Sequence, residues 1–113
     1  MPRSEEPSQG NPSRLTLLIS GGTYGYFDVT PVGRHTAGGI VRRKTIVDRV
    51  RSEVGADNLL VLDGGDALGY YYLLRGDRGQ SMISAMREIG YDGMTPGTHD
   101  FDYGKEVLAT YDA

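Results

Sequence analysis

Apolar positions along the chain fall into short unbroken runs and longer spaced stripes, and the alternation between the two predicts an α/β fold. The run at residues 59–62, LLVL, is too short for a helix and passes at once into Asp63, Gly64, Gly65 and Asp66. That order suits a buried parallel strand whose C-terminal end releases a sharp turn bearing carboxylates, and ligand sites in open α/β sheets lie beyond such ends. Residues 15–20, LTLLIS, form an earlier strand that opens into Gly21-Gly22-Thr23-Tyr24-Gly25. A third, short strand is expected at 92–95, running into the polar turn Pro96-Gly97-Thr98-His99-Asp100-Phe101-Asp102.

Two stripes have the period of a helix. Ile40, Val41, Ile46, Val47, Val50 and Val54 share one side of the first, Arg42, Arg43 and Lys44 lie on its solvated side, and Gly55 is a plausible C-cap. Met82, Ile83, Met86 and Ile89 mark the second, over 80–89, with Gly90 ending it; methionines at this spacing read as core filler. Residues 103–111 begin a last helix. Residues 26–39 read as a loop, because Pro31, Gly33, Gly38, Gly39 and the polar Arg34-His35-Thr36 break any repeat. Three strand–loop–helix repeats imply a small, mainly parallel sheet with crossover helices, and all three polar turns then emerge on one edge.

With 113 residues the chain is one domain, and two segments are expected: an extended or disordered arm over 1–14, polar and holding Pro2, Pro7 and Pro12, and a folded unit over 15–113. The arm lacks the apolar centre of a signal peptide, and no stretch is long and apolar enough to span a bilayer. A formal charge of −3 disfavours nucleic acid and anionic membranes as partners, and the absence of cysteine excludes disulfides and thiolate chemistry. Tyr70, Tyr71 and Tyr72, apolar but hydroxylated, suit a lid or a protein interface.

The three converging turns invite a di-metal hydrolase, which needs two ions about 3.5–4 Å apart, a bridging carboxylate and several further ligands. Asp66 suits the bridge, and His99 suits proton donation to a leaving oxygen or stabilisation of phosphoryl charge. The first turn offers only glycines, a hydroxyl and a phenol, and Thr98 is a poor neutral ligand. One carboxylate and one histidine do not hold two divalent ions.

Residues 15–25, Gly38-Gly39-Ile40 with the helix that follows, residues 59–69, and above all GYDGMTPGTHDFDYG at 90–104 resemble the N-terminal calcineurin-like metallophosphoesterase domain of the 5'-nucleotidase family. The resemblance implies half of that domain with a degenerate metal site. The family's first block carries a metal-binding aspartate and histidine two residues apart, and Gly22 and Tyr24 stand at those positions. The bridging aspartate is matched by Asp66 and the catalytic histidine by His99, whereas Thr98 replaces an asparagine ligand and Asp100 a glutamate.

The departures from the family's pattern lead to the expectation of a non-catalytic structural or interaction subunit of a larger assembly with no cofactor, and the apolar face of a half-domain together with the tyrosine run leads to that of a protein partner. One alternative is a metal-dependent phosphoester hydrolase, using Mn²⁺, Zn²⁺ or a similar ion, active once another segment or chain completes it, with His35, Asp63 or Asp100 substituting locally. Another is a small-ligand or nucleotide-binding module. The family is commonly exported, so a periplasmic or exported location is implied by resemblance alone.

Overall fold

A computed structural model of the protein describes residues 13–69 and 76–111. Most of the expected N-terminal arm and the whole Tyr70-Tyr71-Tyr72 run lie outside the described residues. In chain order the elements are β1 (Thr16–Ser20), β2 (Val29–Val32), β3 (His35–Gly38), α1 (Ile40–Val54), β4 (Leu59–Asp63), α2 (Gln80–Ile89), β5 (Gly93–Met94) and α3 (Lys105–Ala109).

β1, β4 and β5 form a parallel sheet in that spatial order, as the strand–helix alternation requires. Thr16 lies opposite Leu59 and Ser20 opposite Asp63, while Leu62 lies opposite Gly93. Asp92 extends the short β5 pairing: its amide donates to the Val61 carbonyl, and its carboxylate accepts the Val61 amide, each at 2.8 Å.

The register places Leu18, Leu59 and Val61 on one face, where Val47 and Val50 of α1 and Ile89 of α2 close over them. A second cluster of Ala67, Leu68, Met82, Ile83 and Met86 packs α2 beneath the turn after β4, so the methionines are core. Arg51 ties the two helices together: its Nη2 donates to the Ile89 carbonyl at 3.0 Å, near the negative end of the α2 dipole. Its Nη1 meets Asp48 at 3.0 Å.

The other face of the sheet is bare. Leu17, Ile19 and Leu60 are 51%, 69% and 36% exposed, although parallel sheets ordinarily bury both faces.

Residues 26–39 are not the loop that the sequence suggests. β2 and β3 pair as an antiparallel hairpin, with Val32 opposite His35 and a two-residue connection that begins with Gly33 at φ +60°. A two-residue hairpin turn of this kind admits glycine at its first central position. Every residue of both strands is exposed, so no buried face imposed the alternation by which a strand is recognised.

Candidate functional site

The turns that follow β1, β4 and β5 meet at the C-terminal edge of the sheet. The first two run side by side: Gly22 N–H donates to the Gly65 carbonyl at 2.9 Å, Tyr24 N–H to Asp66 at 2.7 Å and Gly25 N–H to Ala67 at 2.9 Å. The third is stitched to the second, where the His99 amide donates to Asp66 Oδ1 at 2.8 Å. Gly22, Tyr24, Asp66, Thr98 and His99 are thereby brought to one place from three segments.

Asp100 holds that place together. It is 1% exposed, and its two oxygens accept the amides of Asp66 (2.7 Å), Leu68 (2.8 Å) and Gly97 (2.7 Å). Satisfying three donors with one carboxyl group leaves it little capacity for anything else. Glycine permits the close approach: a β-carbon on Gly97 would stand 2.6 Å from Asp66 Oδ1 and 2.7 Å from the Asp66 nitrogen. Asp66 itself sits at φ +56°, in the left-handed region that aspartate tolerates better than most side chains.

Gly22 has φ +63°, and a β-carbon there would lie 3.3 Å from Cε2 of the Tyr24 ring. The Tyr24 ring leans over the direction in which any side chain at residue 22 would leave the backbone. The same ring meets that of His99 edge-on at a centroid distance of 5.7 Å and 76° between planes. His99 Nδ1 lies 3.1 Å from Asp102 Oδ2, a partner that sequence reasoning had not assigned.

These residues do not fit a divalent ion pair. Asp66 already accepts the His99 amide, Asp102 lies against His99 Nδ1, Asp100 is committed to backbone amides, and Thr98 is exposed. Asp63 is 3% exposed and accepts the Ser20 hydroxyl at 2.5 Å and the Gly65 amide at 2.9 Å. His35 stands on the exposed hairpin. Among the described residues, no group of three or more His, Asp or Glu side chains is arranged to hold a metal ion. Nor is any helix among them long and apolar enough to cross a membrane.

A second polar network lies behind the site on the α1 side. Ser20 gives its single proton to Asp63, so in the 2.6 Å contact between Ser20 and Tyr91 the tyrosine donates, and Arg43 Nη1 donates to Tyr91 at 3.3 Å. Arg43 Nη1 also donates to Thr23 Oγ1 at 3.0 Å. No local motif announces this chain of bonds, which joins four separate segments.

The fold and the three-turn edge match part of the calcineurin-like metallophosphoesterase class. Within it the chain is homologous to the 5'-nucleotidase family. It is 32% identical over 97 residues to the 5'-nucleotidase of Vibrio vulnificus, a match covering 84% of this chain and 17% of the relative. It superposes on a 5'-nucleotidase precursor of Thermus thermophilus with a TM-score of 0.76 and 30% identity, over 86% of this chain and 20% of that one. The sulfate thiohydrolase SoxB of Thermus thermophilus shares the fold, with a TM-score of 0.73 and 18% identity over 90% of this chain and 28% of that one. No protein-family model matches the chain. The chain thus spans about 17% of the length of the curated Vibrio 5'-nucleotidases that it matches.

Proposed function

We propose that the chain acts as a non-catalytic, metallophosphoesterase-like structural or interaction subunit of a larger assembly. The observation that carries this reading is the position of the Tyr24 ring, over Gly22 on one side and against His99 on the other. The phenol stands where the resemblance expects an imidazole ligand, and it crowds the neighbouring position where it expects a carboxylate. Metal-assisted hydrolysis needs a bound ion to lower the pKa of water or to polarise the phosphoryl oxygen. Asp66, already accepting an amide proton, and His99 are a weak basis for such a centre. The bare aliphatic face of β1 and β4 supports the second half of the reading, since a partner that covers it removes apolar surface from water.

Calorimetric titration of metal-stripped protein with Mn²⁺, alongside an assay with bis-p-nitrophenyl phosphate, tests the proposal. Neither binding heat nor metal-dependent turnover is expected. Two strong sites, together with hydrolysis that disappears in His99→Ala, would establish an enzyme instead.

One feature favours a second reading, in which the chain contributes to a phosphoester hydrolase completed by another segment or chain. Asp66 and His99 are held together in a defined geometry by the Asp66–His99 amide bond and the Asp100 cradle. This reading expects a polypeptide or partner that supplies further carboxylate and imidazole ligands, and metal-dependent turnover only in its presence.

A further inference from the structure

β1 is paired with β4 on one side, and among the described residues no strand pairs with its outer edge. Its five residues, TLLIS, contain no proline, glycine or charge, the devices that ordinarily block an open edge. A groove of about 370 Å³ runs between this edge and α1. Leu18, Ile19, Ile46 and Val47 provide its apolar lining, and Arg42 and Arg43 stand in its wall, near Gly38-Gly39 and the C-terminal end of β1.

Among the described residues no carboxylate pairs with the charge at that end. Arg42 donates to the Thr36 carbonyl and hydroxyl, and Arg43 to the hydroxyls of Thr23 and Tyr91, all of them neutral acceptors. Among the described residues neither guanidinium forms an ion pair, whereas Lys44 and Arg51 of the same helix both meet Asp48. The N-terminal turn of α1 holds no acidic residue and no side-chain cap, so its dipole adds to the same positive field.

We infer that this groove receives an extended segment of a protein partner, which adds a strand to the open edge of β1, places aliphatic side chains against Leu18 and Ile46, and sets a carboxylate beside Arg42 and Arg43. The inference rests on the interaction reading above and names the chemistry of the partner. Strand addition supplies affinity through the main chain and specificity through alternate side chains. A planar guanidinium pair selects carboxylate at one end of the segment. A second copy of this chain fits less well, because antiparallel pairing of two β1 strands would carry Arg14, just before β1, towards the arginines of the other copy.

A fluorescein-labelled heptapeptide of alternating valine and threonine, with a glutamate added at each end, is the probe, and fluorescence anisotropy with the full chain is the readout. It is expected to bind at least about 10-fold more tightly than the same peptide ending in lysines, the ratio that one charge-assisted pair supplies. Methylation of alternate peptide nitrogens should abolish binding, and Arg42→Glu/Arg43→Glu should reverse the preference for end charge. Equal affinity for both peptides, undiminished binding of the methylated peptide, or no binding of either would overturn the inference. If the double variant does not fold, the methylated peptide against the unaltered chain still decides it. Failure here with a silent Mn²⁺ titration would leave the non-catalytic reading in place and reject only this surface; a metal-dependent activity would reject that reading, whatever the peptide does.

Discussion

The Tyr24 ring meets the imidazole of His99 edge-on, with centroids 5.7 Å apart, and the same ring lies 3.3 Å from where a β-carbon on Gly22 would be. On the non-catalytic reading, adding one ligand is not expected to be enough. Gly22→Asp alone brings a side chain against the phenol at a backbone φ of +63° and is expected to bind no more Mn²⁺ than the unaltered chain. Gly22→Asp combined with Tyr24→His removes the obstruction and adds two donors beside Asp66. Only the double variant should give a saturable calorimetric isotherm; binding by Gly22→Asp alone would show that the ring yields readily.

Asp100 is expected to be a large single contributor to stability. Asp100→Ala leaves the amides of Asp66, Leu68 and Gly97 without their acceptor at a site 1% exposed. At about 1–3 kcal/mol for each unsatisfied buried donor, and with partial relief by entering water, a loss of roughly 3–5 kcal/mol is anticipated in urea denaturation. Asp100→Asn keeps one acceptor oxygen and should fall between. A loss below about 1 kcal/mol, the net worth of one ordinary hydrogen bond, would mean that the turns hold their shape by other contacts.

Gly97 and Gly33 separate steric contact from backbone strain. Gly97 has an ordinary φ of −100°, but a β-carbon there would meet Asp66 at 2.6 Å. Gly33 has φ +60° with nothing within 4 Å. Gly97→Ala should cost more than about 2 kcal/mol through overpacking, whereas Gly33→Ala should cost about 1–2 kcal/mol through left-handed strain alone. Thermal or urea unfolding of the two variants side by side checks the order.

Asp77 gives a pH dependence. Its carboxylate accepts the Ser81 hydroxyl, the Ser81 amide at 2.9 Å and the Gly79 amide at 3.1 Å, at the entry to α2. The Ser81 hydroxyl bond leads the causes that hold its pKa below the ordinary value of 3.8. A carboxyl whose folded pKa is depressed stabilises the fold above its unfolded value, and that contribution is lost as pH falls through the folded value. Asp77→Ala should therefore cost about 1 kcal/mol at neutral pH, as for a lost helix cap. The gap from the unaltered chain should narrow below pH 3.8, and a gap that stays constant into acid would count against the assignment.

Much of the fold was legible because its signals are local. α2 has its apolar side chains at helical spacing and a glycine at each end, and its bounds follow from them. β4 is an unbroken aliphatic run closed by a turn. The hairpin at Val29–Gly38 escaped notice because neither strand has a buried face to impose a period of two. The turns that bear Asp66 and His99 were legible as polar strand ends, and the structure brings them into contact. Asp100 was visible as a residue but not as a cradle, since its carboxylate oxygens serve amides up to 34 residues away. The link from Ser20 through Tyr91 to Arg43 spans separations of 71 and 48 residues and has no signature in any one segment.

The Asp100 cradle also has an evolutionary side. In a centre whose loops are folded around their ions, discarding a ligand also discards the scaffold, and selection against instability guards the chemistry. Here the three turns are braced by a carboxylate that grips main-chain amides and by glycines that let backbones touch. Such a frame keeps the turns in register through main-chain amides, so the side chains around it can be exchanged without dismantling the edge that presents them.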